Sequence, residues 1–393
     1  MESHEVPNTP KQTSTRTKRR VRVVVGVGLA GVICWWLGFG SYLTQRFQYA
    51  GKSETFSGSS DSLQQTVIVP TLDTPCPPGK NVIWCSSFQL AWNEIKDKVI
   101  GAPLEVVGAE EVAARLNTAK QSSSDLEPGS FYAAGGRIKD GVINQIKKDM
   151  AAKFPSHVLP DFKDFDGGLL AYSFLTACVS FKHPFRQVGE GLTFGGPGST
   201  RTSVEAFGFS EVDEGSYEKI REQVGVLYAR LSDKPNRWEF SEFALDLGRH
   251  SQPYEVVIAL VEPKGSLAQT LEYVRLQIPE SRRCGDSNGA QALGTNDVLK
   301  VPEMFWRIDH RFSELIGRNL ANVGMPIVEA MQTTVFRLDR CGATLESEAR
   351  LLVKSSPKRF VFDRPFLVYM QKRGVEHPFF VMWVDNVELL TRK

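Results

Sequence analysis

"FVFDRPFLVYM", residues Phe360–Met370, sets the charged pair Asp363–Arg364 and Pro365 between two apolar runs. Proline cannot donate to a strand ladder, so within sheets it marks a strand start, an edge or a bulge, and charges at the rim of a core need partners. The stretch therefore reads as a chain that turns a corner and enters a buried strand, with Asp363 and Arg364 pinned at the entrance. A second apolar run, "PFFVMWVDN" at Pro378–Asn386, follows closely. Working backwards, extended aromatic and β-branched runs dominate the second half: Leu169–Phe181, Arg237–Asp246, Tyr254–Val261 and Pro326–Leu338. One helical pattern, near Ser266–Val274, interrupts them. The first half carries helical patterns near Ser86–Val99, Ala109–Lys120 and Ile138–Lys153, the last with Ile143, Ile146 and Met150 at spacings of three and four. Early helices followed by long strands predict an α+β fold with large antiparallel or mixed sheets.

At 393 residues with 41% hydrophobic content, the chain can bury a substantial core. Its net charge of +2 conceals an asymmetry: Met1–Arg22 holds six basic residues against Glu2 and Glu5, a surplus of four, leaving about −2 elsewhere. That balance gives no nucleic-acid surface. Val23–Gln45 contains 23 uncharged residues, about 35 Å as a helix, enough to cross a hydrocarbon core of about 30 Å. Basic residues on its N-terminal side predict a cytoplasmic N-terminus and an extracytoplasmic remainder. The rival is a cleaved signal peptide with Gly38 and Gly40 near its site and a secreted product; the long N-terminal region and the apolar run beyond those glycines favour an anchor. Ala50–Gln65, rich in Gly and Ser, reads as a tether. The expected organisation is a basic tail over 1–22, a membrane helix over 23–45, a flexible linker over 46–72 and a globular domain over 73–393.

An extracytoplasmic domain permits disulfides. Cys76 with Cys85, and Cys284 with Cys341, are candidate pairs, whereas Cys178 lies in the apolar "LLAYSFLTACVSF" and reads as a small buried hydrophobe. No clustered Cys/His spacing suggests zinc, and no cofactor is expected. "GDSNG", Gly285–Gly289, fits a nucleophile-elbow pattern around Ser287, but the preceding "PESRRC" is polar and turn-like rather than a buried strand. Asp363 and His377 follow in triad order, which without geometry carries little. "FGGPGST", Phe194–Thr200, lacks the lysine of a phosphate loop and reads as a turn. An enzyme is not expected.

"GATLESEARLLV", Gly342–Val353, alternates Ala343, Leu345, Ser347 and Ala349 with Thr344, Glu346, Glu348 and Arg350, the period of a strand. It runs into the basic "KSSPKR", Lys354–Arg359. With its neighbours this stretch resembles a known family. Phe360, Asp363, Arg364, Pro365 and Phe366 match the F-x-x-D-R-P-F segment that follows the reactive loop of serpins, and Pro378–Asn386 looks like that family's closing strand, with Met382 or Trp383 in place of the usual glycine. "NVIWCSSFQLAW", Asn81–Trp92, is similar to the family's N-V-x-x-S-P-x-S entry into an early helix, without the proline. "LLAYSFLTACVSFKHPF", Leu169–Phe185, resembles a central strand and keeps Phe181, Lys182, Pro184 and Phe185 while losing an asparagine and a tryptophan. Val256–Glu272 looks like a strand and its following helix. "TVFRLDRCGATLESEA", Thr334–Ala349, resembles the strand and hinge that precede the loop, with Gly342 at the hinge glycine. The resemblance covers about residues 80–390; the family's first helix has no clear counterpart.

The resemblance implies a serpin-like α+β domain in which cleavage by a target serine or cysteine peptidase lets the loop enter a sheet as a new strand and trap the enzyme. The hinge would be Gly342, Ala343, Thr344, Leu345, Glu346, Ser347, Glu348 and Ala349, with Ala343, Leu345, Ser347 and Ala349 on the inward face. The bait would lie within Leu351, Leu352, Val353, Lys354, Ser355, Ser356, Pro357 and Lys358. Counting from the hinge puts the scissile position at Ser356; counting from Phe360 puts it at Leu352. Leu345 and Glu346 exceed the small side chains of the family hinge, and the 17 residues between Gly342 and Phe360 make a shorter loop. The alternative implied by these departures is a non-inhibitory serpin-fold protein that binds a protein or small ligand, with the loop short or already inserted.

Overall fold

The computed structural model describes residues 54–162, 168–195, 201–209, 218–232, 240–283, 293–294, 296–341 and 358–393. All of them fall in one compact unit, Glu54–Lys393. The basic tail and the apolar run Val23–Gln45 lie outside the described residues; among the described residues no helix is long and apolar enough to cross a membrane.

The expected corner leads into the centre of a seven-stranded sheet. Its order is β10 (Gly225–Leu231), β11 (Phe240–Asp246), β12 (Tyr254–Leu260), β19 (Phe366–Lys372), β20 (Pro378–Val384), β3 (Asn81–Cys85) and β2 (Thr66–Ile68). All pairings are antiparallel except β2 with β3. Strand β20 is buried at every position and β19 at its first five, because the sheet is covered on both faces. Alternate residues sort cleanly between the faces. Val82, Trp84, Val257, Ala259, Leu367, Tyr369, Val381 and Trp383 meet Leu267, Leu271 and Val274 of a helix, while Ile83, Ile258, Phe366, Val368, Phe380 and Met382 join the main core. That helix, Leu267–Arg283, carries its apolar residues at i, i+4 and i+7 and extends past the expected end at Val274 through Pro279.

Against the inner face lie two further sheets. A four-stranded sheet has the order β18 (Arg359–Val361), β13 (Val298–Pro302), β9 (Ala206–Phe209), β6 (Arg186–Gln187). Gly208 is obligatory here: at φ +143° a Cβ would stand 1.9 Å from the Leu299 carbonyl oxygen of the neighbouring strand. A three-stranded sheet places β14 (Met304–Arg311) between β1 (Phe56–Ser59) and β17 (Met331–Leu338). Three pairs complete the strands: β4 (Phe131–Arg137) with β5 (Leu169–Leu175), β7 (Leu192–Phe194) with β8 (Thr202–Val204), and β15 (Asn319–Leu320) with β16 (Met325–Pro326).

The helices, numbered in chain order, are α1 (Ser86–Asn93), α2 (Glu110–Thr118), α3 (Val142–Lys153), the short α4 (Glu218–Glu222) and α5, the one covering the large sheet. A π-helical stretch, Glu94–Ile100, continues α1 to Gly101, whose left-handed backbone ends it. The α+β expectation and its three early helices are borne out.

Two expectations are corrected. Glu54–Leu72, assigned to a flexible linker, is built into the domain: β1 adds in parallel to β14, β2 adds to β3, and Val69 and Leu72 are buried. Its Gly/Ser composition is outweighed by Phe56 and by the apolar run Val67–Val69, which find open strand edges. Cys178 is exposed rather than buried, because the segment after β5 still alternates, turning Ala177, Val179 and Phe181 inward and Cys178 out. Cys76 and Cys85 are free thiols; Cys85 belongs to the inner core and Cys76 packs on the α5 side of the large sheet, so the sheet separates them. Cys341 is also a free thiol, and Cys284 lies outside the described residues.

Candidate functional site

Strands β5 and β17 each have one paired edge, β5 to β4 and β17 to β14; neither pairs along its other edge among the described residues. Both rest on the same point, the first turn of α1. Ser173 of β5 donates through its hydroxyl to the Ser87 carbonyl oxygen. From β17, the buried Gln332 amide donates to Ser87 Oγ at 2.7 Å and to the Cys85 carbonyl oxygen at 3.0 Å. Chain direction explains why α1 starts there: β3 ends at Cys85 in extended conformation and the helix begins at Ser86 without a side-chain cap. The Ser86 hydroxyl is buried without a hydrogen-bond partner, and burial pushes the Cys85 thiol up.

Beyond the other end of β17, the segments that follow the two strands meet. The Phe185 amide donates to the Arg340 carbonyl oxygen at 2.8 Å, and Phe185 is fixed by Phe181 and Phe207 at centroid distances of 4.9 and 5.4 Å. From Gln332 to Arg340, two residues past the end of β17, the chain covers eight residue steps, roughly 26 Å if extended. Along it Gln332, Phe336 and Leu338 are buried, while Met331, Thr333 and Val335 are exposed. A guest strand added here would meet the same alternation of inside and outside.

The predicted hinge starts two residues beyond. An Asp339 carboxylate oxygen accepts from the Cys341 amide at 2.8 Å, and Asp339 pairs with Arg337, closing a turn at the end of β17. The hinge Gly342–Ala349 and the bait residues Leu351–Pro357 lie outside the described residues. Lys358, the last bait residue, is described, and its backbone is held on both sides. Its amide donates to Asp297 Oδ1 at 2.9 Å, and its carbonyl accepts from Val298 at 2.8 Å. Asp297 is buried and accepts from the Gly294 amide through its other oxygen at 2.6 Å. Lys358 thus roots the loop's return in β18, which runs parallel to β13.

The corner that follows is built as its sequence reads. Phe360 stacks on Phe240 at 4.8 Å and meets Phe243 edge-on at 5.2 Å; Phe362 lies 4.9 Å from Phe243 and 5.4 Å from Phe366. The Arg364 guanidinium donates to the Phe240 and Ser241 carbonyls at 3.4 and 3.2 Å and pairs with Asp363. Asp363 accepts from the Gly195 amide through its carbonyl at 3.1 Å, so Gly195, just after β7, helps to seat the corner; residues 196–200 of the glycine-rich stretch lie outside the described residues.

The catalytic arrangements weighed in the sequence are not assembled among the described residues. Asp363 faces Arg364, and His377 Nδ1 lies 3.3 Å from a carboxylate oxygen of Asp125, a different acid. Ser287 lies outside the described residues. No group of three or more potential metal ligands occurs among the described residues.

Sequence reasoning missed the shared anchor at Ser87 and the role of Gln332, which is visible only once β3, β5 and β17 converge. It also passed over β13 and β14, although Met304, Trp306 and Ile308 alternate with Phe305, Arg307 and Asp309.

No family model matches the chain, and no curated relative matches it. Solved structures to which it is similar include thyroxine-binding globulin complexed with thyroxine, at 10% identity over 79% of this chain and 93% of that one, with a TM-score of 0.42. They include mouse protein-Z dependent protease inhibitor, at 12% identity over 78% and 91%, with a TM-score of 0.43. A third is Serpin48, a highly specific serpin of the insect Tenebrio molitor, at 12% identity over 77% and 91%, with a TM-score of 0.39. The strand orders given above stand independently of these distant overlaps. The chain is thus similar, at a distance and over somewhat more than three quarters of its length, to serpin-fold proteins.

Proposed function

We propose that this chain is a membrane-anchored, serpin-like inhibitor of serine or cysteine peptidases that acts by reactive-loop trapping. It is not an enzyme, and its domain works on the extracytoplasmic side, held by Val23–Gln45. One observation carries the reading: β5 and β17 each keep one edge unpaired among the described residues while both hydrogen-bond Ser87 in the first turn of α1, which leaves a slot for a strand of about eight residues beside them. The hinge Gly342–Ala349, itself eight residues long, leaves the chain just beyond the slot's mouth at Arg340. A loop freed by cleavage between Leu351 and Lys358 gains a full set of backbone hydrogen bonds on entering the slot, which is strand addition driven by the unpaired edges. Ala343, Leu345, Ser347 and Ala349 would enter the core, with Leu345 the costliest to accommodate.

The full chain, solubilised in detergent and incubated with a panel of peptidases, is expected to form a denaturant-resistant covalent complex together with a cut inside Leu351–Lys358. A large rise in melting temperature after loop cleavage should accompany it. The second reading, a non-inhibitory binding protein, is favoured by one observation: the Phe185–Arg340 hydrogen bond closes the mouth, so an entering strand must first break it. Clean proteolysis with an unchanged melting temperature decides for that reading.

A further inference from the structure

We propose that Phe154–Phe162 is a proton-released strap: gaining a charge at His157 lifts it from Tyr172 and Phe174 of β5 and loosens that strand beside its open edge. The strap works in this way whether or not the chain traps a peptidase.

The segment "FPSHVLPDF", Phe154–Phe162, follows α3 directly. Pro155 and Pro160 carry no amide hydrogen, which keeps the segment out of a strand ladder. Its backbone bonds are local: the Phe154 amide donates to the Met150 carbonyl at 2.7 Å and the His157 amide to the Phe154 carbonyl at 3.0 Å. Side chains tie it to β5 instead. Phe154 meets Phe174 edge-on at 4.8 Å, His157 lies on Phe174 at 4.0 Å, and Phe162 meets Tyr172 edge-on at 5.6 Å. His157 Nε2 is 3.1 Å from the Tyr172 hydroxyl, a polar tie in the middle of the strap. Beside it Val158 is 88% exposed, so the segment rises clear of the domain next to that tie.

The charges around the ring oppose a second proton on it. On α3, Lys153 donates to the Phe131 carbonyl and Asp149 accepts from the Tyr132 hydroxyl at 3.1 Å. On the strap itself Asp161 points to solvent. From beyond the slot, Arg307 of β14, paired across from the exposed Val335 of β17, acts on His157 as a like charge. The carboxylate that would offset it, Asp309, is 3.6 Å from Arg307 and accepts from the Thr333 hydroxyl at 2.6 Å. Burial first and Arg307 second hold the imidazole below its ordinary range, which outweighs the attraction of an imidazolium for the Phe174 ring.

A depressed value in the seated strap means that the released strap binds the proton more tightly. Seating is therefore at full strength above the ordinary imidazole range and weakens as pH falls through it. Release uncovers Tyr172 and Phe174 on a strand that is half-buried throughout and is paired along one edge among the described residues. Acid thus loosens the border of the slot before it loosens the large sheet.

Hydrogen exchange of the full chain in detergent, read by mass spectrometry at about pH 7.5 and about pH 5.5 and corrected for the intrinsic pH dependence of amide exchange, measures the release. Amides of the strap and of β5 should exchange about fivefold or more faster at the lower pH, against a much smaller change in β20. His157→Phe keeps a ring on Phe174 and takes no charge, and should abolish that response; His157→Gln makes the same test should the phenylalanine variant fold poorly. An acid response that is absent in the wild type, equal in strap and β20, or retained by both His157 variants overturns the proposal.

Discussion

The seven-stranded sheet and the β4–β5 pair are made by the same chain under opposite rules. In the large sheet β19 and β20 lie between paired neighbours and their apolar residues are buried on both faces. In the small pair all seven residues of β5 are half-buried, β4 reads "FYAAGGR", and a Cβ on Gly135 would stand 2.9 Å from Glu94 Cβ on the π-helical stretch. The first region is locked by area and ladder. The second meets α1 and the π-helical stretch through small residues and a few hydrogen bonds and α3 through Tyr132, Leu170, Tyr172 and Phe174, with one edge open and no residue of β5 fully buried. Regions that move are drawn from the less buried part of a fold; here that part borders the slot.

Substitutions can break this comparison or sharpen it. The largest effect is expected at Gly208: a Cβ there collides with the Leu299 carbonyl, so Gly208→Ala should prevent β9–β13 pairing and leave the protein in the insoluble fraction. Phe362→Ala, in the core against Phe243 and Phe366, should cost about 3–5 kcal/mol in denaturant titration. Hydrogen exchange on the wild type should show β20 amides opening only with the whole molecule and β5 amides opening earlier; equal protection would erase the contrast between the two regions. Gln332→Leu removes two hydrogen bonds to the first turn of α1 and should cost about 1–3 kcal/mol while speeding exchange in β17 more than in β20.

The smallest effect is a pH dependence. Burial holds the imidazoles of His157, His183 and His310 below their ordinary range. Depressed folded values mean that the unfolded chain binds protons first, so stability is full above the ordinary imidazole range and is lost as pH falls through it. The melting temperature should drop between about pH 7.5 and pH 5. His310→Asn, which keeps a partner for Ser60 Oγ, 2.7 Å from His310 Nδ1, should flatten part of that slope.

The legible parts of the fold are those where one strand's own pattern suffices. Pro378–Val384 matches its strand residue for residue, and the corner at Asp363–Pro365 could be read because charge, proline and aromatics are adjacent in sequence. What escaped was set by distant partners. Phe56–Ser59 is a strand only because β14 offers an edge, and Asn81 is buried only because Asp385, Asn386 and Thr66 satisfy its amide. At the candidate site, the hinge alternation and its family resemblance were readable, whereas the slot is a relation among β5, β17 and α1. No single segment carries that relation.

The position of β19 and β20 in the middle of the large sheet bears on how the chain is made. Both strands come late in the sequence, within Phe366–Val384, yet β12 on one side and β3 on the other depend on them for pairing. During synthesis the sheet stays in two halves until Val384 has left the ribosome. The nascent domain therefore waits with apolar edges uncovered until β20 emerges, shielded in the interval by whatever holdase binds it.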